Sequence, residues 1–329
     1  MPYNDITSRT DIAPLIPEEV SAEILTDLNA TSPLLQLARK LPNMSRAQVR
    51  MPVRNSIAHA YFVSGDTGLK QTASMLWANK YIYAEELAVI VPIGQNVLDD
   101  VDYDIWGETK PALVAAFSAA MTAAVLYGTN IPANWSTSLG GAGIAIPTTS
   151  GGAAPATHVI QAAAYADWYE AILGRVPGGG AKGSFMLVEE DGFGVNGNLA
   201  DISMKGELRN TRDMNGQPIF KTSMQDATRY ELDGTPIYFP MDGSVDPTYS
   251  LLVSGDWSQL VYSMRQDMTY TIAKEAVITD NAGNIIYNLF QQDMVALRAV
   301  MRIGFALPNP KNRVNETDAT RYPFTVLIA

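Results

Sequence analysis

Cysteine is absent from this chain of 329 residues, and histidine occurs only as His59 and His158. Without cysteine there is no disulfide and no thiolate metal ligand, which is typical of a protein from a reducing compartment. Two histidines far apart in sequence do not form a histidine metal cluster. The sequence also lacks a Ser/His/Asp or Cys/His arrangement and a conspicuous pair of carboxylates. We therefore expect no enzyme, no cofactor and no metal site.

Basic residues are few relative to acidic ones, since 23 Lys and Arg stand against 34 Asp and Glu and give a net charge of −11. A dedicated nucleic-acid-binding protein shows a basic face, so the charge argues against that class. The first ten residues, "MPYNDITSRT", lack the apolar segment of a signal peptide. The most apolar run (111–127) is shorter than the ~20 residues of a membrane span and predicts a buried helix.

Charge is distributed unevenly near the amino terminus. Residues 1–27 carry six acids, Glu18 and Glu19 among them, against one arginine. Residues 39–54 carry five basic residues and no acid, and Arg46, Arg50 and Arg54 belong to this group. Segments of opposite sign attract each other within one chain or between neighbouring copies. Two solvated surfaces are the alternative interpretation, and the sequence does not decide between them.

Helix and strand patterns mix along the chain without βαβ alternation, which predicts the α+β class. Proline at a first turn and four-residue apolar spacing predict the helices. Period-two alternation and buried apolar runs predict the strands. The predicted helices are 17–30, a short one after Ser32, 108–127 and 158–173, and the predicted strands are 48–55, 183–191, 250–262, 267–280, 294–307 and 322–329.

A long hairpin arm is predicted around the glycine-rich stretch "GDTGLKQT" (65–72). Strand-like segments lie on both sides of it, at 58–64 and 75–93. Because an isolated hairpin is marginally stable in water, the arm must lie on a surface outside itself. We expect the arm to add so little to its own core that residues 62–82 are dispensable for folding.

The loop "PGGGAKGS" (177–184) is the candidate for a phosphate site. A phosphate-binding P-loop requires G-x-x-x-x-G-K-[ST] between a strand and a helix. Here Gly183 follows Lys182, and the pattern predicts a helix before the loop and a strand after it. We interpret the loop as a connector, and a soluble phosphate-binding enzyme is the alternative from a different functional class.

The order of features resembles that of the major capsid proteins of tailed bacteriophages, which share the fold named after phage Hong Kong 97. Each segment alone is a weak signal, but their order along nearly the whole chain is specific. The segments are "SPLLQLARKLPNMSRAQVRMPV" for an amino-terminal arm, "VSGDTGLKQTASMLWANKYIYAEELAVIVPIGQNVLDD" for an extended loop and its return strand, "PALVAAFSAAMTAAVLYGTNIP" for a spine helix, "LRNTRDMNGQPIF", "LDGTPIYFP" and "LLVSGDWSQLVYSMRQDMTY" for an apical domain, and "LFQQDMVALRAVMRIGFAL" for a peripheral return strand.

The resemblance implies a division of the chain and a function. The implied parts are an amino-terminal arm (1–50), an extended β-hairpin loop (51–92), a peripheral domain with the spine helix (93–155 and 267–315) and an apical domain (156–266 and 316–329). Hexamers and pentamers of such a subunit form an icosahedral shell around double-stranded DNA, with each hairpin arm lying across a neighbouring subunit. An encapsulin-type protein compartment of the same fold is the alternative.

The resemblance also implies partners and a location. We expect a portal protein, separate scaffolding or decoration proteins, enclosed DNA that is not bound specifically, and no membrane. Many members begin with a helical scaffolding region, whereas here the arm starts within the first twenty or so residues. Either the scaffold is a separate protein or the sequence is a renumbered mature form, and Met1 favours the separate scaffold. The protein is expected in the virion after assembly in the cytoplasm of the bacterial host.

Some members of this family join their subunits by an isopeptide bond between a loop-tip lysine and an asparagine of a neighbour. Lys70 occupies the matching tip, and Asn288 lies where the acceptor would lie. The reaction also needs a desolvated carboxylate, but Val295 occupies that place and Asp293 comes two residues earlier. We therefore expect no bond, and we expect Asp66 and Lys70 to make polar contacts across the subunit boundary.

Overall fold

The computed structural model describes residues 32–63, 68–70, 72–100, 105–138, 158–165, 167–174, 181–212, 215–217, 219–220, 230–241, 243–318 and 320–328, with backbone alone at 100, 105–106, 108 and 136–138. These residues form two units. The smaller unit contains residues 86–114 and 266–302, and the larger unit contains 32–85, 115–265 and 303–329. The predicted helix 17–30 lies outside the described residues.

Helices and strands are interspersed, as the predicted α+β class requires. The helices are α1 (Pro33–Leu37), α2 (Gln95–Asp100), α3 (Ile105–Thr122), α4 (Ala133–Ser138), α5 (Trp168–Ile172), α6 (Ser184–Glu190) and α7 (Ile202–Asn210). The strands are β1 (Arg39–Lys40), β2 (Gln48–Arg54), β3 (Trp77–Tyr83), β4 (Glu85–Gly94), β5 (Val159–Gln161), β6 (Gly197–Ala200), β7 (Glu231–Leu232), β8 (Thr235–Tyr238), β9 (Leu252–Gly255), β10 (Val261–Ala273), β11 (Val277–Thr279), β12 (Ile285–Asn288), β13 (Met294–Ala306) and β14 (Phe324–Ile328).

Two long strands, β10 and β13, are neighbours in a four-stranded sheet of order β1-β10-β13-β4. The predicted alternation of β13 is confirmed, because Val295, Leu297 and Met301 are buried while Arg298 is exposed. Most residues of its other face are buried as well. β13 is therefore a core strand covered on both sides, which explains its near-continuous apolar sequence.

The larger unit is built on a six-stranded sheet of order β5-β14-β9-β6-β8-β7. One apolar cluster joins the sheet to helices α5, α6 and α7. Its central members are buried side chains from both layers, among them Ile172, Phe185, Met204, Leu252 and Leu327. A helix layer on one apolar sheet face is the usual way in which such a sheet is covered.

The predicted spine helix is confirmed, but it begins earlier than expected. α3 starts at Ile105, so Pro111 lies inside the helix instead of in its first turn. A π-helical turn (Ala123–Tyr127) continues it, and the left-handed Gly128 ends it as predicted, at φ 67°. The stretch Thr109–Tyr127 is long and apolar enough to cross a membrane by length and composition alone, and half of it is buried within the protein.

Two predictions in the sheet region are wrong. Residues 183–191 form helix α6 and not a strand, with Phe185 and Val188 buried at helical spacing. A four-residue apolar run does not distinguish a strand from a buried helix. Among the described residues of 158–173, α5 is the one α-helix, and Val159–Gln161 instead pairs in parallel with β14. Sheet pairing here overrides the helix propensity of the alanine-rich sequence.

The predicted arm is also paired differently from the expectation. Residues 58–63 form no strand, and the ladder instead joins β2 to β3. By contrast, the short helix after Ser32 is confirmed, and the Ser32 hydroxyl accepts a hydrogen bond from the Leu35 N–H at 3.4 Å.

Candidate functional site

The base of the arm is an antiparallel ladder in which Gln48 lies opposite Tyr83 and Arg54 lies opposite Trp77. One face of this ladder is partly buried, with Ile82 fully buried and Val53 nearly so, while Val49 opposite Ile82 is 37% exposed. Ile82 belongs to a small apolar cluster with Met44 and Val261. The base is therefore part of the subunit core, and the burial of Ile82 argues against the expectation that residues 62–82 are dispensable for folding as far as β3 is concerned.

The other face of the same ladder is cationic and aromatic. Arg50 lies opposite Tyr81, and Arg54 lies opposite Trp77, whose side chain is 66% exposed. Arg46 is exposed just before the ladder. Within the described part of the chain, no carboxylate lies at ion-pair distance from these three arginines. Among the described residues no carboxylate neutralises their charge, although the Arg54 guanidinium donates to the Lys311 carbonyl, and Glu18 and Glu19 lie outside the described residues.

Beyond the ladder, the outgoing and returning segments of the arm remain hydrogen-bonded to each other for a short distance. The Asn55 N–H donates to the Leu76 carbonyl at 2.8 Å, and the Leu76 N–H donates to the Ser56 hydroxyl at 2.7 Å. The Ser56 hydroxyl in turn donates to the Ser74 carbonyl at 3.2 Å. Hydrogen bonds therefore still hold the two segments of the arm together just beyond the ladder.

The distal part of the arm is apolar and open to solvent. Phe62 is fully exposed and Leu69 is 89% exposed, and Met75 and Leu76 are about half exposed. Contiguous exposed apolar residues mark protein interaction sites. Lys70 is exposed beside them, and Asp66 lies outside the described residues.

The smaller unit carries a second exposed element, the two-stranded ribbon β11–β12. Its turn is fixed by Asp280, which accepts hydrogen bonds from the side chain and backbone of Asn284. Those bonds lower the pKa of Asp280. Ile285 and Phe290 are 65% and 75% exposed. The ribbon thus has a rigid turn and apolar residues that the subunit does not cover.

Asn288 ends this ribbon opposite Val277. Its N–H donates to Gln292 Oε1 at 3.2 Å, and its side-chain oxygen accepts from the Gln291 N–H at 3.4 Å. Val295, at the place of the expected carboxylate, is buried, and Asp293 has a left-handed backbone with φ 53°. The amide of Asn288 therefore serves a local turn, and the acid that the isopeptide reaction needs is missing from its expected place.

The glycine-rich loop is followed by a helix, so the predicted strand after it is wrong. Residues 175–180 lie outside the described residues, and Gly183 precedes the first turn of α6. Lys182 forms an ion pair with Glu190, at the other end of that helix. Lys182 lies just before α6, and this exposed ion pair competes with a phosphate for its charge. Gly183 also stands where a P-loop has Ser or Thr, so the enzyme alternative is not favoured.

The predicted contact residues are charged groups and Asn288, and they do not include the exposed apolar residues of the arm and ribbon. A signal for them exists in the sequence, because Phe62, Leu69 and Ile285 lie next to glycine-containing turns. Apolar residues at the ends of short hairpins have no core of their own to enter.

Comparisons with known proteins agree with this architecture. The model of the phage capsid family matches residues 13–312. The major capsid protein of Staphylococcus phage 80alpha is 24% identical over 296 residues, which are 89% of this chain and 82% of that protein.

Solved structures give the same result for the fold. A chain from Microbacterium phage Oxtober96 matches with a TM-score of 0.73 and 29% identity over 98% of this chain and 99% of its own. A chain from Mycobacterium phage Bobi matches with a TM-score of 0.70 and 25% identity over 98% of each chain. The capsid of an empty GTA particle, with a TM-score of 0.58 and 18% identity over 91% and 90% of the two chains, shares the fold. The chain belongs to the phage capsid family: it has the Hong Kong 97-type fold and is a major capsid protein of a phage.

Proposed function

We propose that this protein assembles as hexamers and pentamers into the icosahedral shell of a tailed bacteriophage and encloses its double-stranded DNA. The observation that carries the proposal is the arm. Its base is anchored in the subunit core through Ile82, whereas Phe62 and Leu69 near its end are open to solvent. An anchored arm with an uncovered apolar end requires a partner surface, and in a shell that surface belongs to the next copy.

Charge supports a second contact between copies. The exposed Arg46, Arg50 and Arg54 form a cationic strip that lies free of carboxylates in the described part of the chain. Glu18 and Glu19 belong to an acidic amino-terminal segment. We assign that segment to the strip of the same or a neighbouring subunit, and Lys70, Asp66 and Asn288 to polar contacts at the boundary.

The division into amino-terminal arm (1–50), extended loop (51–92), peripheral domain (93–155 and 267–315) and apical domain (156–266 and 316–329) belongs to the same proposal. The net charge of −11 keeps the enclosed DNA free of tight binding. The partners are a portal protein and separate scaffolding or decoration proteins. Assembly takes place in the cytoplasm of the bacterial host, and the role in the virion is structural and not enzymatic.

Sedimentation and electron microscopy of the purified protein test the proposal. We expect rings or closed shells that contain DNA when formed in infected cells, and no defined small oligomer. Replacing Phe62 and Leu69 together by serine should abolish shells without unfolding the subunit, because both side chains are exposed. The matched control is Met241→Ser, which removes a side chain that is 82% exposed outside the arm. Shells that survive the arm change, or that enclose protein cargo in place of DNA, would contradict the proposal.

A further inference from the structure

A loop within the connection between β13 and β14, residues 308–321 with 319 outside the described residues, is held on its inner side by a buried arginine. Arg321 is 1% exposed. Its guanidinium donates to the side chain and carbonyl of Asn309, to the Asn315 carbonyl, and to Asp318 Oδ1 at 2.7 Å. A buried guanidinium whose donors are satisfied by one loop holds that loop in a single conformation.

A second anchor lies at Asp191, directly after α6. Its carboxylate accepts hydrogen bonds from Asn315 Nδ2 at 2.8 Å and from the Tyr322 N–H at 2.7 Å. Its carbonyl accepts one from Asn312 Nδ2. The next residue, Gly192, has φ 78°, and a Cβ there would lie 2.8 Å from Cβ of Val314. The loop is therefore seated directly on this backbone.

The outer side of the same loop contacts the start of the arm. The Lys311 N–H donates to the Arg54 carbonyl at 3.3 Å, and the Arg54 guanidinium donates back to the Lys311 carbonyl at 3.4 Å. Arg313 donates to the Ala58 carbonyl at 3.0 Å, and Glu316 lies 3.3 Å from His59 Nε2. Residues 54–59 thus run alongside residues 311–316 in the same direction.

This contact lies where the arm has lost its own regular structure. The ladder of β2 and β3 ends at Arg54, and residues 55–63 form no strand. The hydrogen bonds of the Ser56 hydroxyl join the outgoing and returning segments of the arm to each other. The loop, in contrast, joins the outgoing segment, residues 54–59, to the rest of the subunit. Exposed polar contacts add little stability singly, so these contacts contribute little to the stability of the fold.

We propose that the loop 308–321 sets the direction in which the arm leaves the subunit, with Arg313 and Glu316 as positioning residues. The inner anchors at Arg321 and Asp191 hold the loop in one conformation. The hydrogen bonds and the ion pair at its outer edge then hold residues 54–59 in a fixed position. The proposal rests on the proposed function, in which the arm must reach a fixed place on a neighbouring copy.

A distance measurement in the unassembled full-length subunit tests this directly. The chain has no cysteine, so Thr72→Cys on the arm and Ser203→Cys on α7 can each carry one spin label; both positions are exposed. In the parent the label-to-label distance distribution should be narrow. In Arg313→Ala combined with Glu316→Gln it should broaden, and its mean should move by more than the width of the parent distribution.

Two controls separate positioning from general damage. Arg313→Lys keeps a donor for the Ala58 carbonyl and should restore most of the parent distribution. Arg298→Ala removes an exposed arginine from β13 and should change nothing. Gly192→Ala displaces the loop from its inner side and should move the arm as well, which keeps the test decisive if the double variant folds poorly.

Unchanged distributions in both the double variant and Gly192→Ala would overturn the proposal. The proposed function is judged separately, by the shells that the same variants form without labels. If the arm is displaced but shells are normal, the loop does position the arm, and the proposal that the arm must contact a neighbouring copy is contradicted. Displaced arms with aberrant or missing shells support both.

Discussion

The protonation state of His158 is determined by its buried surroundings. The residue is 3% exposed, and its Nε2 lies 2.9 Å from Asp191 Oδ2. Burial lowers the pKa of His158 below 6.5 and outweighs the opposing effect of the Asp191 carboxylate. In the unfolded chain the ring takes up a proton at higher pH than in the folded protein. The resulting stability is present above pH 6.5 and is lost as the pH falls through the folded pKa.

We therefore expect His158→Gln to flatten the decrease in the free energy of unfolding below pH 6.5, because glutamine keeps a donor for Asp191 and does not titrate. Urea denaturation followed by tryptophan fluorescence, at a series of pH values, measures the difference between variant and parent. His59→Gln is the control, since that ring is exposed at the arm. Equal pH slopes for the parent and His158→Gln would contradict the expectation.

Two glycines give opposite predictions for the same substitution. At Gly255 a Cβ would lie 2.3 Å from the Pro323 carbonyl oxygen, so Gly255→Ala should destabilise the subunit by about 1–3 kcal/mol. At Gly206, inside α7, no atom lies within 4 Å, so Gly206→Ala should stabilise it by about 0.5–1 kcal/mol. Chemical denaturation of the two variants under one condition measures both, and shifts of the same sign would contradict the packing argument.

Local rules in the sequence predicted local features of single residues. Ser32 and Gly128 were recognised as the beginning and end of helices, because capping depends on a few neighbouring residues. Arg321 was not recognised as buried. Its burial depends on how residues 308–321 fold back on themselves, and an arginine near the carboxyl terminus otherwise predicts a solvated charge.

At the scale of elements, strands with long-range periodicity were predictable and short apolar runs were not. β13 is thirteen residues long, and its apolar residues at every second position suffice to identify it even though most of its other face is buried as well. α6 offers only the run from Phe185 to Val188, and its helical state follows from its packing in the apolar cluster under the sheet. The arm was predicted from its turn, but its register depends on Gln48–Arg54, which the turn does not specify.

The arm itself should divide into a dispensable end and an essential base. Replacing residues 61–75 by a short Gly-Ser linker should leave the thermal melting of the subunit nearly unchanged, because this segment is exposed where it is described. Extending the replacement to residue 82 removes β3 and the fully buried Ile82, and truncation of such a side chain costs about 2–5 kcal/mol. Circular dichroism melts of the two replacements decide this. Equal melts would show that Ile82 does not anchor the arm.

The whole molecule was recognised from the order of its segments, although no single motif identifies it. That order fixed the family and the fold, which depend on topology. The surfaces proposed to lie between copies do not follow from the order of segments in the same way. Exposure of Phe62, Leu69 and Ile285 depends on which strands pair and which ends remain open. A sequence pattern gives apolar positions, whereas their accessibility is a property of the folded subunit.

A shell of this protein should be held together without covalent links. Lys70 is exposed at the arm, as the isopeptide reaction would require, but that reaction also needs a desolvated carboxylate to take the proton of the amine. Val295 stands in the expected place and is buried, and the side-chain oxygen of Asn288 accepts a hydrogen bond from the Gln291 N–H. Mature shells boiled in detergent should therefore give a single band near 35.7 kDa on a denaturing gel. A ladder of multimers that disappears in Lys70→Ala shells would show that the bond forms, and a ladder that persists in that variant would place a link at another residue.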